Sequence, residues 1–423
     1  MRKKICSIIF ILIIFINVLI NPVYGEELIS YDESMQQAFE HIEAPNVLVG
    51  NTETGELLYG KNIDEKIYPA SLTKLMTAIL VVENCELDEI ATVSENAVKS
   101  VPSGYVNANL QVGEELTIED LLYVMLIPSA NDAANVLAEY VGGNIESFAT
   151  MMNTRAKEIG CTNTNFTNPS GLHQEEHTTT ARDLLLIANE AYKKETIRKI
   201  ICVTNYSLPQ TNMYSGNQRV FTSTNYLILP SLTKFYTESC LGGKTGYTEY
   251  AKNCVVEYAR KEDIPLTIIV LGANAKVKGQ KFLDAKEMLE YIFQNYNINQ
   301  IVKKDDIYET IKIKKATKKT EMLKVKYKED ISILVKKGQI VSNKEVEYNN
   351  TEAPIKAGDI VGNIKYNYNG KEYRVELIAE SDVEKSAMPI IITVILIILA
   401  ITLFIIYSSK KIKTDIGNHG KNI

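Results

Sequence analysis

The sequence predicts an α+β fold in which an antiparallel sheet is flanked by a helical cluster, followed by a small all-β domain and a C-terminal transmembrane helix. Three observations lead to this prediction. Strand-like segments open and close the first 297 residues and enclose several helical segments, which is typical of an antiparallel sheet with helices packed on it. Lysine-rich alternating segments follow. The last feature is an apolar run long enough to cross a membrane.

The strands of the first domain are predicted as two pairs. They cover residues 46–49, 57–59, 254–259 and 266–271. The turn of the first hairpin is residues 51–55, and the polar residues 260–263 separate the second pair.

The helices are predicted from apolar periodicity and from residues typical of helix ends. One helix starts at Ser71 and carries a single apolar stripe. The stripe consists of Leu72, Leu75, Met76, Ile79 and Leu80. Thr117 and Asp120 form a capping box that opens a helix ending at Leu126, before Pro128. Two further helices cover residues 132–141 and 182–192.

Residues 298–383 are predicted to form a small all-β domain. Lysine alternates with apolar residues at 311–314 and 323–327, and the dipeptide Asn369-Gly370 is a hairpin signal between strands. We interpret the lysine-bearing faces as solvated. Binding of an anionic wall polymer is the alternative.

Residues 1–25 are predicted to be a secretory signal peptide. Basic residues 2–4 precede the apolar run 5–20, and residues 23–25 offer a cleavage site before the acidic pair 26–27. Retention of this segment as an uncleaved N-terminal anchor is the alternative.

The C-terminal end predicts a membrane anchor. Residues 388–407 carry no charge and have the length of about 20 residues that a helix needs to span a bilayer. Lysines follow at once, which favours a cytoplasmic tail at residues 408–423. We therefore expect a cell-membrane protein with one C-terminal transmembrane helix and residues 26–385 outside the cytoplasm.

Charge and cysteine content exclude two classes of protein. A net charge of −6 gives no basic field, so no nucleic-acid partner is expected. Five of the six cysteines remain after signal cleavage, and an odd number without regular spacing is not a disulfide framework. Cys240 and Cys254 could pair, but we expect separate thiols.

The tetrapeptide Ser-Leu-Thr-Lys occurs twice. A serine three residues before a lysine can be a nucleophile beside its base. Ser71 and Lys74 share one face at the start of a helix. Ser231 and Lys234 follow Pro230 and no helical stripe continues from them, so we interpret this second copy as a loop.

Two companion motifs follow the first copy in order. Ser129 and Asn131 lie in the break between two predicted helices, and Lys244, Thr245 and Gly246 precede the second pair of strands. The set S-x-x-K, S-x-N and K-T-G is the signature of penicillin-binding proteins and class A β-lactamases.

On these motifs the chain resembles the low-molecular-weight penicillin-binding proteins that are serine-type D-alanyl-D-alanine carboxypeptidases of the peptidase S11 family. The resemblance spans about residues 30–295 and implies a β-lactamase/transpeptidase-like domain at residues 26–297. The β-domain and the C-terminal attachment to the membrane are also similar to that family. Further matching segments are residues 59–62, 69–77, 129–133, 168–172, 177–183 and 282–286.

The resemblance implies acyl transfer. Ser71 would be the acyl-ester nucleophile that attacks the carbonyl between two D-alanines, and Lys74 its general base. Ser129 would pass a proton toward the leaving amine, and Asn131 would orient Lys74 and the substrate amide. Backbone N–H groups of Ser71 and Tyr247 would form the oxyanion hole.

Substrate binding is implied at the third motif. Lys244 and Thr245 would meet the terminal carboxylate, with Gly246 and Tyr247 completing the substrate-binding strand. Lys281 stands where the family has an arginine, which replaces a bidentate fork by a point charge.

The partners implied by the resemblance are peptidoglycan stem peptides that end in D-Ala-D-Ala, with β-lactams as covalent inhibitors of the same serine. The chain would act in cell wall biogenesis. We expect neither a metal nor another cofactor.

Two alternatives share the serine chemistry. A class A β-lactamase needs a glutamate that positions the deacylating water. No Glu-x-x-Leu-Asn segment lies between Asn131 and Lys244, and Ala130 stands where that enzyme has aspartate. A non-catalytic β-lactam-binding wall protein would tolerate loss of the catalytic groups, but all of them are present in this sequence.

A zinc peptidase is the alternative from another mechanistic class. His173 and His177 have the spacing of two zinc ligands on a helix, but the H-E-x-x-H pattern requires glutamate where this chain has Gln174. We therefore disfavour zinc.

Overall fold

The computed structural model describes residues 28–30, 32–216, 218–341 and 343–419. The predicted signal peptide, residues 1–25, lies outside the described residues. The chain divides into two units between Asn297 and Ile298, and each is described by itself.

The strands of the first unit include both predicted pairs. They are β1 (Leu28–Ser30), β2 (Asn46–Asn51), β3 (Leu57–Lys61), β4 (Ile90–Thr92), β5 (Glu115–Thr117), β6 (Asn205–Leu208), β7 (Arg219–Thr222), β8 (Cys240–Thr248), β9 (Lys252–Lys261) and β10 (Ile264–Ala273).

The helices of the first unit lie mainly between β3 and β8. They are α1 (Glu33–Phe39), α2 (Lys74–Asn84), α3 (Glu95–Lys99), α4 (Ile118–Leu126), α5 (Asn131–Gly142), α6 (Ile145–Glu158), α7 (Ala181–Lys193), α8 (Glu195–Ile201) and α9 (Gln280–Asn295).

The central sheet confirms the predicted α+β class. Six antiparallel strands lie in the order β1-β3-β2-β10-β9-β8, so strands from both ends of the unit share one sheet. The predicted turn at residues 51–55 joins β2 to β3. Helices α7 and α9 both pack against this sheet.

Helix α2 differs from its prediction. A single apolar stripe was expected, whereas every residue from Lys74 to Val81 is buried. The reason is that helices α5, α6 and α7 pack around α2 on several sides. Ser71 also precedes the α-helix proper, because residues 70–73 form a 3₁₀ turn (Ala70–Thr73) that leads into α2.

The predicted helix ends are confirmed at two places. The Thr117 side chain accepts a hydrogen bond from the Asp120 N–H at 3.0 Å and caps α4, which ends at Leu126. Helix α5 ends at Gly142, one residue beyond the predicted 141, and is capped by Gly143, whose φ of 76° is the left-handed conformation that glycine adopts without strain.

Strand β8 contains the K-T-G motif, which the sequence placed before the strands and not inside one. Its pairing with β9 sets Cys240 opposite Ala259 and Cys254 opposite Gly246. The two thiols are therefore far apart along the ladder, and the suggested Cys240–Cys254 pair is wrong. The five described cysteines are all free, as expected.

The second unit is the predicted all-β domain followed by a helix. Its first strand, β11 (Tyr296–Val302), begins two residues before the division. The strands that follow are β12 (Ile307–Lys312), β13 (Met322–Tyr327), β14 (Ile331–Lys336), β15 (Asn343–Tyr348), β16 (Ile360–Tyr368) and β17 (Lys371–Ala379). Five of them form an antiparallel sheet in the order β12-β13-β17-β16-β15, and Asn369-Gly370 is the predicted hairpin turn.

Helix α10 (Met388–His419) closes the described chain. Within it, Met388–Lys410 is the one candidate membrane span among the described residues, with a mean hydropathy of 3.2 and none of its apolar window buried. The helix continues beyond residue 407, where the predicted transmembrane segment ended.

Candidate active site

Ser71 lies on the turn that leads into α2. Its side chain is half-buried, and the preceding Ala70 has a φ of 48°, which is strained for a residue with a Cβ. The Thr73 hydroxyl donates a hydrogen bond to the Ala70 carbonyl at 2.8 Å and closes the turn. The serine is thus held on a constrained turn at the amino end of a buried helix.

Lys74 lies one turn further on and is completely buried. Its Nζ is 3.1 Å from Ser71 Oγ, 2.7 Å from Asn131 Oδ1 and 2.6 Å from the Ser170 carbonyl oxygen. Burial lowers the pKa of Lys74 well below its usual range, and the positive charge of Lys244 lowers it further.

An ammonium group and a neutral amine both fit these three oxygens, and the burial that lowers the pKa of Lys74 favours the neutral amine. A neutral lysine has two N–H groups and one lone pair. Asn131 Oδ1 and the Ser170 carbonyl can only accept hydrogen bonds, so they take both N–H groups. The lone pair is then left for the Ser71 hydroxyl, which is the arrangement that a general base requires.

The S-x-N motif reaches the site from the start of α5. Asn131 is the first residue of that helix, and Ser129 has a φ of 72°, a second strained backbone position at the site after that of Ala70. Ser129 Oγ accepts a hydrogen bond from Lys244 Nζ at 2.8 Å. The motif therefore connects Lys74 on one side with Lys244 on the other.

Asp132 fixes the loop beside this motif. Its buried carboxylate accepts hydrogen bonds from the backbone N–H groups of Ala108 and Leu110, at 2.9 and 3.2 Å. The Asn131 N–H donates to the Val106 carbonyl at 3.0 Å in the same loop. The loop is thus held against the amino end of α5.

The K-T-G motif lies on β8, which is the last strand at one edge of the sheet. Lys244 Nζ also donates to the Thr245 carbonyl at 2.9 Å, and the Thr245 hydroxyl is 2.6 Å from that of Thr224. Burial lowers the pKa of Lys244 to about 7, and the charge of Lys281 contributes to the decrease.

Gly246 allows β8 to approach the nucleophile. A Cβ added at this residue would lie 3.1 Å from the Ala70 Cβ and 3.3 Å from the Ser71 nitrogen. A side chain there would crowd the Ser71 N–H, so the strand can run beside the turn because residue 246 is glycine.

A cleft of about 630 Å³ brings the three motifs together. Its lining includes Ser71, Ser129, Thr245, Gly246 and Tyr247. Tyr247 is 54% exposed, whereas Lys74 and Lys244 lie buried behind the cleft wall. All eight predicted site residues thus lie at or directly behind one cleft.

Lys281 also lines this cleft. Its Nζ donates to the Gly246 carbonyl at 3.3 Å, and burial lowers its pKa to about 8. The lysine that replaces the expected arginine is therefore in the site, where it offers one cationic group.

The second Ser-Leu-Thr-Lys copy lies in an exposed loop, and the histidine pair does not have the helical geometry of the zinc pattern. Ser231 and Lys234 are exposed loop residues, as predicted. His173 stacks on Tyr250 with ring centroids 3.7 Å apart, and His177 is hydrogen-bonded to threonines. Residues 173–177 form a loop, so the helix that the zinc pattern requires is not formed by them.

Sequence reasoning missed several groups at this site. The Ser170 carbonyl is a backbone atom, and the hydroxyl of Thr224 belongs to no motif. Glu257, on β9, is buried and accepts a hydrogen bond from the Asn225 side chain at 2.7 Å. Burial raises the pKa of Glu257 to about 8. A fold-dependent contact of this kind leaves no spacing signal in the sequence.

Comparison with known proteins identifies the family. Residues 32–275 match the protein family described as "D-alanyl-D-alanine carboxypeptidase", and residues 296–385 match the family described as "Penicillin-binding protein 5, C-terminal domain". The first match alone covers more than half of the chain and contains all three motifs.

Two similar proteins agree with this family match. D-alanyl-D-alanine carboxypeptidase DacF of Bacillus subtilis (strain 168) is 33% identical over 323 residues, which cover 74% of this chain and 78% of the relative. D-alanyl-D-alanine carboxypeptidase DacC of Escherichia coli (strain K12) is 30% identical over 333 residues, 76% of this chain and 79% of the relative.

The structure of penicillin binding protein 5 from Haemophilus influenzae superposes with a TM-score of 0.68 at 24% identity, over 82% of this chain and 98% of that one. At this identity the likeness is one of fold. Taken with the sequence matches, the fold and the site define a serine-type peptidase of the penicillin-binding class. The chain belongs to the D-alanyl-D-alanine carboxypeptidase family, and the β-lactamase and non-catalytic alternatives are not favoured.

Proposed function

We propose that this protein is a serine D-Ala-D-Ala carboxypeptidase that removes the terminal D-alanine from peptidoglycan stem peptides through an acyl-enzyme on Ser71. One observation carries the proposal. Lys74 is buried, its two N–H groups are taken by carbonyl oxygens, and its third contact is Ser71 Oγ at 3.1 Å.

Acylation begins with proton transfer from the Ser71 hydroxyl to the Lys74 amine. The serine oxygen attacks the carbonyl carbon between the two D-alanines, and Lys74 becomes an ammonium group that keeps its hydrogen bonds to Asn131 and Ser170. Asn131 also faces the substrate amide in this proposal. Burial favours the neutral base before attack, and the two acceptors stabilise the cation after it.

The leaving amine needs a proton when the peptide bond breaks. Ser129 can donate its hydroxyl proton to that nitrogen and take up in its place the proton that Lys74 received from Ser71, while it accepts a hydrogen bond from Lys244 Nζ at 2.8 Å. Lys74 is then neutral again. Water attacks the ester and gives a proton to Lys74, which returns it to the Ser71 oxygen as the shortened peptide leaves with a free carboxylate.

We place the terminal carboxylate of the substrate at the part of the cleft that is lined by Thr245 and Lys281. Thr245 offers a hydroxyl donor and Lys281 a cation at the cleft surface, and the Lys244 ammonium lies directly behind them. A carboxylate beside cationic donors is bound by charge-assisted hydrogen bonds, which explains a preference for a C-terminal residue.

The carbonyl oxygen of the scissile bond is assigned to the backbone N–H groups of Ser71 and Tyr247. Gly246 brings the edge of β8 beside the Ser71 nitrogen, and the first N–H groups of a helical turn have no partner within that turn. An edge strand can also add an extended peptide as a further strand, which would align the substrate along residues 245–247.

We further propose where the protein acts. Removal of residues 1–25 would leave the catalytic domain (26–297) and the β-domain (298–383) outside the cytoplasm. The segment 388–407 would span the membrane, with residues 408–423 as its cytoplasmic tail. The apolar exposed surface of Met388–Lys410 supports this topology. β-Lactams, which resemble the D-alanyl dipeptide, would acylate Ser71.

The proposal is tested by D-alanine release and by labelled penicillin. The full-length chain should release D-alanine from a peptide ending in D-Ala-D-Ala, and Ser71→Ala should lose both release and labelling. Ser231→Ala is the matched control, since its serine has the same tetrapeptide but is exposed in a loop. Labelling that persists in Ser71→Ala and vanishes in Ser231→Ala would reverse the assignment.

Metal removal provides a separate test. EDTA should leave D-alanine release unchanged, because the proposed nucleophile is a side-chain hydroxyl and not a metal-bound water. Activity that EDTA abolishes and zinc restores would contradict the serine mechanism.

A further inference from the structure

His177 makes hydrogen bonds through both ring nitrogens although its side chain is 2% exposed. The backbone N–H of Thr167 donates to Nδ1 at 3.1 Å, and a backbone N–H can only donate. The ring is therefore neutral with its hydrogen on Nε2. That hydrogen is donated to the Thr73 hydroxyl at 2.8 Å.

Each of these two contacts leads to a catalytic group. On one side, the Thr73 hydroxyl donates to the Ala70 carbonyl, which closes the turn that carries Ser71. On the other side, Thr167 lies three residues before Ser170, whose carbonyl accepts a hydrogen bond from Lys74. One imidazole thus bridges the segment of the nucleophile and the segment that orients its base.

The second segment is rigid between Thr167 and Ser170. The Asn168 side chain accepts hydrogen bonds from the N–H groups of Ser170 and Gly171, at 3.2 and 2.8 Å. Gly171 has a φ of 84°, and a Cβ added there would lie 1.8 Å from the Ala70 oxygen. The loop is therefore seated directly on the Ser71 turn, and a displacement at Thr167 would be transmitted to the Ser170 carbonyl.

We infer that His177 is a positioning residue that ties the Ser71 turn to the 167–171 loop and so fixes the direction of the Lys74 lone pair. The inference rests on the proposed role of Lys74 as base. It does not require His177 to touch the substrate or to exchange a proton during the reaction.

A purely structural histidine would produce a different result. It would affect folding and the amount of active protein, but not the protonation behaviour of Lys74. If the Ser170 carbonyl moves and water enters, the burial that keeps Lys74 neutral is partly lost. The groups that face its amine are Lys244 on β8 and Asp132 on α5, and neither is bonded to His177. In a variant that lacks the bridge, the pKa of Lys74 should then be higher. The acid limb of the pH profile, which is the range where the acylation rate falls as Lys74 becomes protonated, should move to higher pH.

The experiment measures the second-order rate of acylation by labelled penicillin as a function of pH in the full-length chain. His177→Phe retains an aromatic ring beside Phe166 but removes both hydrogen bonds. We expect its rate to fall by roughly 10²-fold, as small misplacements of reacting groups do, and its acid limb to move up by about one pH unit. His173→Phe is the matched control from the same loop and should stay within about threefold of the wild-type rate.

A double-mutant cycle adds a test that does not rest on His177→Phe alone. Thr73→Val removes the hydroxyl at nearly constant volume and should produce the same shift of the acid limb. The double variant should be no slower than the worse single variant by more than about threefold, because both changes break one bridge.

Rate losses that multiply in the double variant, or an acid limb unchanged in both single variants, would overturn the inference and leave His177 as a packing residue. In that case penicillin would still label Ser71, so the proposed function would stand. If Ser71→Ala still accepts the label, the proposed function fails first, and His177 loses its role with it.

Discussion

At the residue scale, the proposed mechanism uses three lysines in two charge states. Lys74 has carbonyl acceptors for two N–H groups and a serine for its lone pair, which suits a neutral amine. Burial lowers the pKa of Lys244 to about 7 and that of Lys281 to about 8, so both are largely cationic in mildly acidic solution. A base and two anion-binding groups can then coexist around one substrate.

The first prediction concerns Lys244. Replacing it by alanine should lower kcat/KM for a D-Ala-D-Ala peptide by roughly 10²-fold, or about 3 kcal/mol, because the cation behind the carboxylate site is lost. Steady-state release of D-alanine by the purified full-length chain measures this effect. Lys234→Ala, an exposed lysine of the second Ser-Leu-Thr-Lys copy, is the control and should have wild-type kinetics.

An amidated substrate separates two roles of Lys244. The loss caused by Lys244→Ala should shrink for a peptide whose terminal carboxylate is amidated, because that peptide does not use the cation. Lys244 Nζ also lies 2.8 Å from Ser129 Oγ. Equal losses on both substrates would therefore mean that Lys244 serves proton transfer through Ser129, and the carboxylate-binding role would be wrong.

The second prediction concerns pH. The lysines bind the carboxylate only while protonated, so kcat/KM for the D-Ala-D-Ala peptide should fall as pH rises through the range between about 7 and about 8 set by Lys244 and Lys281. Burial raises the pKa of Glu257 to about 8, and only when this carboxyl is ionised does its charge oppose the decrease in the pKa of both lysines. The amidated peptide should lack this alkaline limb. An identical limb for both peptides would assign it to another group.

Single residues also show what a sequence can and cannot predict about this site. Ser71, Ser129 and Lys244 could be found because each belongs to a motif whose spacing reflects its chemistry. The Ser170 carbonyl could not, since every residue has a carbonyl and only the fold brings this one within 2.6 Å of Lys74. The spacing of His177 from His173 indicates only a partial zinc pattern, and its contacts with Thr73 and Thr167 depend on tertiary structure.

At the element scale, β8 is where sequence reasoning was wrong. Gly242, Gly243 and Gly246 lower the strand propensity of this segment, so it was placed outside the sheet. In the structure these glycines allow close approach, and Gly246 brings the strand against the Ser71 turn. The local signal is weak because the glycines that lower strand propensity are the residues that permit this close contact with the Ser71 turn.

The third prediction tests this close approach. Gly246→Ala places a Cβ 3.3 Å from the Ser71 nitrogen and 3.1 Å from the Ala70 Cβ, so the strand or the turn must shift by a few tenths of an ångström. We expect acylation by labelled penicillin to slow by about tenfold or more, since oxyanion donors depend on such distances.

The unfolding midpoint separates a local from a global effect of this change. Gly216→Ala is the control, because its nearest neighbour would be a Tyr214 ring atom at 3.8 Å. Both variants should unfold at a temperature close to that of the wild type. A wild-type acylation rate in Gly246→Ala would show that β8 does not limit the geometry of the oxyanion site.

Helix α2 shows how an element can be predicted while its environment is not. Its apolar spacing located the helix, although the α-helix begins at Lys74 and not at Ser71, and the three-residue spacing correctly brought Ser71 and Lys74 together at 3.1 Å. The same spacing suggested one apolar stripe, whereas α5, α6 and α7 enclose the helix. This enclosure is functionally important because it removes water from Lys74 and so lowers the pKa of its amine.

At the scale of the whole molecule, two units follow one another along the chain, and each has its own hydrophobic core. The change from helical periodicity to lysine alternation near residue 297 was visible in the sequence and lies at the division in the structure. The order of the strands within each sheet was not predicted, because β-pairing between distant segments leaves no local pattern.

The last prediction concerns the C-terminal helix. Its Met388–Lys410 segment is apolar and entirely exposed, a surface that would be unfavourable in water and is expected in lipid. Deleting residues 388–423 retains Ser386, whose N–H donates to the Lys315 carbonyl at 2.7 Å, so the β-domain keeps this contact. The truncated chain should therefore appear in the soluble fraction and release D-alanine at the wild-type rate, whereas the full chain should stay with membranes after alkaline extraction. A truncated chain that remains membrane-bound would show that the N-terminal segment is retained as an anchor, and a soluble but inactive one would show that the helix is needed for more than attachment.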